Sequence, residues 1–223
     1  MAIQELFIWW ADESAAANYG VNDLSPLDAV RAAAVRGPKA LSDWKVSRAL
    51  LQAVRASIPA PGVSSLSHSH GHAICATAPA GWKVGADLER IRPRDVERLA
   101  QWVCSTAERE ALAALDGAER LERFYLLWTL KEAFVKAAGL DFPADMARVG
   151  LDPAPDGPGL LLRAPPGGWG AAAFRVGHDW MACAVWQEPA AWPAGTARPG
   201  WRGAWSCEVP ALMAAGHWRT DTD

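Results

Sequence analysis

The chain has no run of apolar residues long enough to cross a bilayer. Its most hydrophobic stretch, Leu6-Phe7-Ile8-Trp9-Trp10, is hemmed in by Gln4, Glu5, Asp12 and Glu13 and reads as a buried strand. Nothing resembles a secretory leader. The four cysteines, Cys75, Cys104, Cys183 and Cys207, lack the close spacing of metal ligands. Reduced thiols and a cytoplasmic location are therefore expected, with no membrane partner. Basic residues are not in excess: 22 Lys and Arg stand against 25 Asp and Glu, a net charge of −3. This argues against nucleic acid as the main partner, since binding a phosphate backbone normally needs a basic face. No internal repeat is visible.

What is present is material for a core. Of 223 residues, 51% are apolar, enough for one large domain or two small ones. A strand is expected near Ile3 to Ala11, then helices near Pro26 to Arg36 and Leu41 to Ser57. Strands follow at His72 to Ala78 and Lys83 to Glu89, and helices at Arg94 to Val103, Ala107 to Leu115 and Glu119 to Ala138, where Gly139 suits a helix stop. Beyond that point Pro/Gly punctuation separates short apolar runs, Leu160 to Leu162, Ala171 to Val176 and Met181 to Trp186, which read as antiparallel strands. The pattern is α+β. Seven of the thirteen tryptophans lie in the last third, among prolines that discourage long helices. Such a tail is too apolar to stay solvated and is expected to wrap the second half of the chain.

The densest chemical signal is Trp128-Thr129-Leu130-Lys131-Glu132-Ala133-Phe134-Val135-Lys136. At about 100° per residue, Phe124, Trp128, Lys131 and Val135 share one helical stripe, with Glu132 and Lys136 at its margin. Lys131 thus points where an apolar residue belongs, and it must carry its head group to solvent or meet an anion. Glu132 and Lys136 by themselves fit an ordinary i,i+4 surface pair. A second acidic site precedes them, in Gly85-Ala86-Asp87-Leu88-Glu89. Strand alternation sends Asp87 and Glu89 to one side, so two carboxylates converge on a single cation. Mg²⁺ suits such a site, being held by one or two carboxylates together with substrate phosphates. With Glu132, three oxygen ligands beside two lysines form an inventory for gripping a metal-bound pyrophosphate.

Two further features admit more than one reading. Glu108 in Cys104-Ser105-Thr106-Ala107-Glu108 fits an early-helix acid behind a Ser105 or Thr106 N-cap, favoured by the helix dipole. The histidines of Ser67-His68-Ser69-His70-Gly71-His72 alternate, so on a continuous strand they would share a face and could ligate zinc, as in a hydrolase. Gly71 argues against that strand. His68 then serves better as a phosphate contact, with His70 and His72 at a turn.

Taken together, Ser67-His68-Ser69, Gly85-x-Asp87-x-Glu89 and Trp128-x-x-Lys131-Glu132-Ala133-x-x-Lys136 resemble the three ordered motifs of the Sfp-type 4′-phosphopantetheinyl transferases, covering roughly Ser64 to Leu140. The resemblance implies transfer of the phosphopantetheine arm of coenzyme A to a serine of an apo acyl or peptidyl carrier protein, releasing 3′,5′-ADP. It implies Mg²⁺, or Mn²⁺, on Asp87, Glu89 and Glu132, with Lys136 on the phosphates or leaving group, and Ser67, His68 and Lys131 among the coenzyme A contacts. Glu108 aligns with a glutamate proposed as general base. The chain departs from the pattern at Ser65, where many relatives have asparagine, and in lacking an upstream Gly-Lys-Pro. Lys39, Lys45 and Arg48 are the basic residues left for the 3′-phosphate.

The resemblance also implies a monomer of two similar lobes in a pseudo-two-fold arrangement, with the ligand cleft between them. The bounds expected are 1–84 for the first lobe, 85–189 for the second and 190–223 for the Trp/Pro-rich extension. A catalytically silent homologue that binds coenzyme A or the carrier is the alternative from a different class.

Overall fold

A computed structural model of the chain describes residues 6–57, 62–155, 157, 159–189 and 197–220. Two four-stranded sheets lie edge to edge. The first has the order β2-β3-β1-β9, built from Phe7–Ala11 (β1), Gly62–Ser69 (β2), His72–Pro79 (β3) and Gly200–Gly203 (β9). The second has the order β10-β7-β8-β4, from Lys83–Arg90 (β4), Trp169–Val176 (β7), Trp180–Gln187 (β8) and Leu212–Arg219 (β10). A two-stranded ribbon pairs Gly150–Pro153 (β5) with Leu160–Arg163 (β6). Helices α1 (Pro26–Ala32) and α2 (Pro38–Ser57) precede β2, while α3 (Val96–Val103), α4 (Thr106–Ala113) and α5 (Gly117–Ala138) lie between β4 and β5. This is the expected α+β class.

Alternation along β4 explains how the sheets share material. Val84, Ala86 and Leu88 enter a core with Ile8, Ile74, Leu50 and Trp186, whereas α5 and the opposite face of the second sheet build another core around Phe124, Leu130, Phe134 and Val185. The second sheet is thus covered on both faces, by α5 on one and by first-sheet material on the other. The expected bounds at 84 and 189 do not separate cores, because Ile8 and Ala184 belong to the same cluster. The tail differs from expectation in the same sense. Strand β10 pairs with β7, but β9 runs parallel to β1, so the segment stitches both sheets instead of wrapping the second lobe alone. Its residues 190–196, including Trp192, lie outside the described residues.

Two glycines set the geometry that matters. His70 and Gly71 close the β2-β3 hairpin with φ of 47° and 77°, so the alternating histidines straddle a turn. Gly85 lets α5 lie against β4: a Cβ there would stand 1.9 Å from the Ala133 carbonyl oxygen and 2.8 Å from the Ala137 nitrogen. Since both are helix backbone, Gly85→Ala must push α5 outward. We expect a loss of about 1–3 kcal/mol, read as a lower urea midpoint at unchanged m-value. A midpoint equal to that of the wild type would show that this close approach is not required.

Candidate active site

Among the described residues no backbone ladder joins the two sheets. Side chains replace it: Ser65 Oγ accepts the Ala86 N–H at 3.0 Å, Ser67 Oγ accepts the Leu88 N–H at 3.3 Å, and Ser69 Oγ donates to Glu89 Oε2 at 3.3 Å. The three serines are buried and alternate along β2, so one strand face supplies them all. Because the partner number rises with the serine number, β2 and β4 run in the same direction. Ser67 also donates to Asp87 Oδ1 at 2.8 Å. Ser67 therefore faces the second sheet and not a ligand, and Ser65 and Ser69 join it in holding the two sheets together. Their signal was present as serine at every second position of a strand.

Asp87 is the acid most enclosed by this arrangement. It is 5% exposed. Its Oδ1 takes Ser67 and, at 2.9 Å, Lys136 Nζ, which also donates to the Ala86 carbonyl. Its Oδ2 is buried with no hydrogen-bond partner. Lys136 thus pairs across to β4, and not with Glu132 along its own helix. Around Asp87 the other acids are reluctant to ionise. Burial pushes the Glu89 carboxyl up to about 7, aided by the charges of Asp87 and Glu132 and opposed by Ser69 and Arg94. Burial and then Asp87 raise Glu132, with Lys136 acting the other way. The result is an orphaned carboxylate oxygen beside two acids that repel its charge. The acids do not form a preassembled trio, however. No three His, Cys, Asp or Glu side chains among the described residues stand together closely enough to hold an ion unaided. A divalent cation that takes one or two carboxylates and fills its sphere from phosphates and water fits what is there.

Cations gather on the first-sheet side. His68 is exposed at its ring, yet its pKa is lowered, first by desolvation and then by Arg48, Lys136 and Lys39, against the pull of Asp43. Those effects place three positive side chains and one acid around a single imidazole. Asp43 accepts the Gly71 N–H and, at 2.7 Å, Lys39. Arg48 stacks 4.2 Å over Trp44 and meets Asp28 at 3.2 Å. Lys45, half-buried, lies one turn before it on α2. His70 donates or accepts at Ser69, while His72 packs its ring 4.5 Å from Trp180 and 5.3 Å from Trp10. The three alternate imidazoles thus go to a rim, a turn and a seam between tryptophans, which overturns a shared zinc site.

Two expected site residues belong to a different group. Lys131 is fully buried and donates to the Met146 carbonyl at 2.9 Å, to the Val149 carbonyl, and to Glu108 Oε2 at 2.8 Å. Burial lowers its pKa, and Glu108 is the main force restoring the charge. Glu108 closes a capping box with Ser105, accepts the Leu151 N–H at 3.1 Å and meets Arg163 at 2.9 Å. Gly150, with φ of 142°, is required beside it, because a Cβ would fall 2.0 Å from Glu108 Oε1. A general base needs an oxygen within reach of the proton it takes, and both oxygens of Glu108 are spent joining α4, α5 and β5. Lys131 likewise has no surface to offer coenzyme A. Both are corrected to structural members of a buried ion network.

The raised pKa of Glu89 has a measurable consequence in the absence of divalent cations. Its folded pKa lies above its unfolded value, so the stability it contributes is full below about 4.5 and is lost as pH rises through about 7. Glu89→Gln should therefore raise the melting temperature at pH 8, by roughly 2–4 °C for each kcal/mol recovered, with the gain shrinking toward pH 5. Thermal unfolding in EDTA at the two pH values checks this. A substitution that destabilises equally at both would contradict the crowding of acids described above.

Comparison with known proteins bears on this geometry. Residues 83–184 match the profile of the 4′-phosphopantetheinyl transferase superfamily. Over 102 residues the chain is 36% identical to the 4′-phosphopantetheinyl transferase HetI of Nostoc sp., covering 45% of this chain and 42% of HetI. Over 128 residues it is 35% identical to AcpT of Salmonella typhimurium, covering 50% and 66%, and over 89 residues 36% identical to Sfp of Bacillus subtilis, covering 39% and 38%. The chain thus spans from 38% to 66% of the length of these three relatives. A holo-(acyl-carrier-protein) synthase from Bacillus anthracis, solved in complex with CoA (3′,5′-ADP), superposes with a TM-score of 0.39 at 16% identity, over 48% of this chain and 96% of that one. The stretch that matches the 4′-phosphopantetheinyl transferase superfamily profile carries Asp87, Glu89, Glu132 and Lys136.

Proposed function

We propose that this protein transfers the 4′-phosphopantetheine arm of coenzyme A to a serine of an apo acyl or peptidyl carrier protein, releasing 3′,5′-ADP. The observation that carries the reading is the juxtaposition across the β2-β4 seam. A buried acid with an unpartnered oxygen stands on one side with Lys136 bonded to it, and His68, near Lys39 and Arg48, stands on the other. A diphosphate laid over that seam meets cations from both sheets. Asp87, with Glu89 and Glu132, would hold Mg²⁺ or Mn²⁺, which when bound neutralises charge on the diphosphate oxygens.

Phosphoryl transfer asks little covalent chemistry of a protein, so alignment and charge cancellation supply most of the acceleration. The serine oxygen of the carrier attacks the phosphorus that bears pantetheine, and the bond from that phosphorus to the 3′,5′-ADP oxygen breaks. Lys136, tied to Asp87 and the Ala86 carbonyl, keeps one of its three donors for that leaving phosphate. His68, Lys39, Lys45 and Arg48 steady the remaining phosphates. With Glu108 committed elsewhere, Glu132 or Glu89, whichever the cation does not take, is the carboxylate left to receive the serine proton. The reading carries with it a cytoplasmic monomer. Consistent with it, the four cysteines are free and buried, and no helix among the described residues is long and apolar enough to cross a membrane.

Intact-mass spectrometry tests the proposal. With coenzyme A and Mg²⁺, the purified protein should make an apo carrier heavier by one phosphopantetheine, and Asp87→Asn should slow this by about 10²-fold or more while remaining folded. Coenzyme A binding with no mass gain on acyl, polyketide or peptidyl carriers would favour the silent homologue. Near-normal turnover by Asp87→Asn would refute the cation assignment.

A further inference from the structure

Resting on that reading, we propose that Ser67 is a positioning residue. Its hydroxyl reaches across from the first sheet, fixes which Asp87 oxygen is spent on the protein, and so presents the other to the cation. The argument starts from hydrogen-bond bookkeeping. A serine hydroxyl has one proton and two lone pairs. At Ser67 the proton goes to Asp87 Oδ1 at 2.8 Å, and a lone pair takes the Leu88 N–H at 3.3 Å. Both partners lie on β4, so the hydroxyl is anchored at two points and its rotor is fixed. Lys136 donates to that same Oδ1 at 2.9 Å. Two donors therefore hold one carboxylate oxygen from opposite elements, β2 and α5. Oδ2, buried and unpartnered, is left as the ligand oxygen.

The neighbouring serines separate positioning from mere support. Ser65, two residues earlier on the same face, accepts the Ala86 N–H at 3.0 Å and touches no acid. Ser65 and Ser67 do the same structural work in replacing a ladder bond between the sheets, each satisfying one buried β4 amide. Of these two, Ser67 alone also orients a carboxylate, while Ser69 holds Glu89 Oε2 at 3.3 Å. Groups that orient a metal ligand from behind typically change metal affinity by about 10–100-fold when removed. Loss of a ladder substitute alone changes stability and leaves affinity untouched.

The test compares Ser67→Ala with Ser65→Ala, using Mn²⁺ binding followed by electron paramagnetic resonance in the presence of coenzyme A, with melting temperatures alongside. Both variants should unfold at lower temperature than the wild type. Ser67→Ala should weaken Mn²⁺ binding by about tenfold or more, Ser65→Ala by less than twofold, and Ser67→Thr, which keeps the hydroxyl, should restore most of the loss. Equal Mn²⁺ affinity in Ser67→Ala and wild type, or an equal loss in Ser65→Ala, overturns the proposal while a wild type that binds and transfers leaves the function intact. A wild type that binds no Mn²⁺ overturns both.

Discussion

Everything in this site depends on how two sheet edges are held side by side without pairing their backbones. The buried Ala86 and Leu88 amides of β4 find hydroxyls of β2 and not carbonyls. An ordinary ladder would fuse the sheets into one and close the junction along the edge of β4. Serine hydroxyls instead satisfy the amides while keeping the strands far enough apart for Asp87 and Glu89 to stand at the junction. The same hydroxyls tie the acids to the strand that carries His68 at its surface. The seam is thus the mechanical join and, in the proposed function, also the chemical centre.

The second constraint is the close passage of α5. Gly85 gives the helix backbone access to the strand, and Lys136 then reaches the Ala86 carbonyl and Asp87 from above. The position of α5 is defended further back by a largely buried group of ions. Lys131, Glu108 and Arg163, with the Met146 and Val149 carbonyls, lock one side of the helix to α4 and β5. Breaking such a group by removing one partner leaves a buried charge unpaired, which is why it acts as a clamp. One helix therefore presents two kinds of lysine: Lys131 turned inward for the fold, Lys136 turned to the seam for chemistry.

Much of this was legible in the residues and some was not. The helical stripe placed Lys131 at an apolar position, and the structure does bury it. Spacing could not say that its anion would be Glu108 and not a phosphate, because that partner comes from a separate helix brought near by the β5 ribbon. Alternation put Asp87 and Glu89 on one side of β4, as found. Strand β2 was missed because serines, histidines and Gly71 read as turn chemistry, and only the turn at His70-Gly71 is real; what makes the rest a strand is pairing with apolar β3. The parallel pairing of β9 with β1 joins residues nearly two hundred positions apart, and no local pattern records it. Within the superfamily match, residues 83–184, the motif reading was at its strongest; the first-sheet side, outside that match, was recovered from geometry.

In the proposed function Asp87 Oδ2 is kept for a divalent cation that would also engage the coenzyme A diphosphate. A crystal grown with coenzyme A and Mn²⁺, examined by anomalous scattering, addresses it directly. The account predicts a manganese peak at coordination distance, about 2.0–2.3 Å, from Asp87 Oδ2 and from diphosphate oxygens, with Ser67 and Lys136 still on Oδ1. A bound coenzyme A whose diphosphate lies away from the β2-β4 seam, or a manganese that leaves Asp87 uncoordinated, would contradict it.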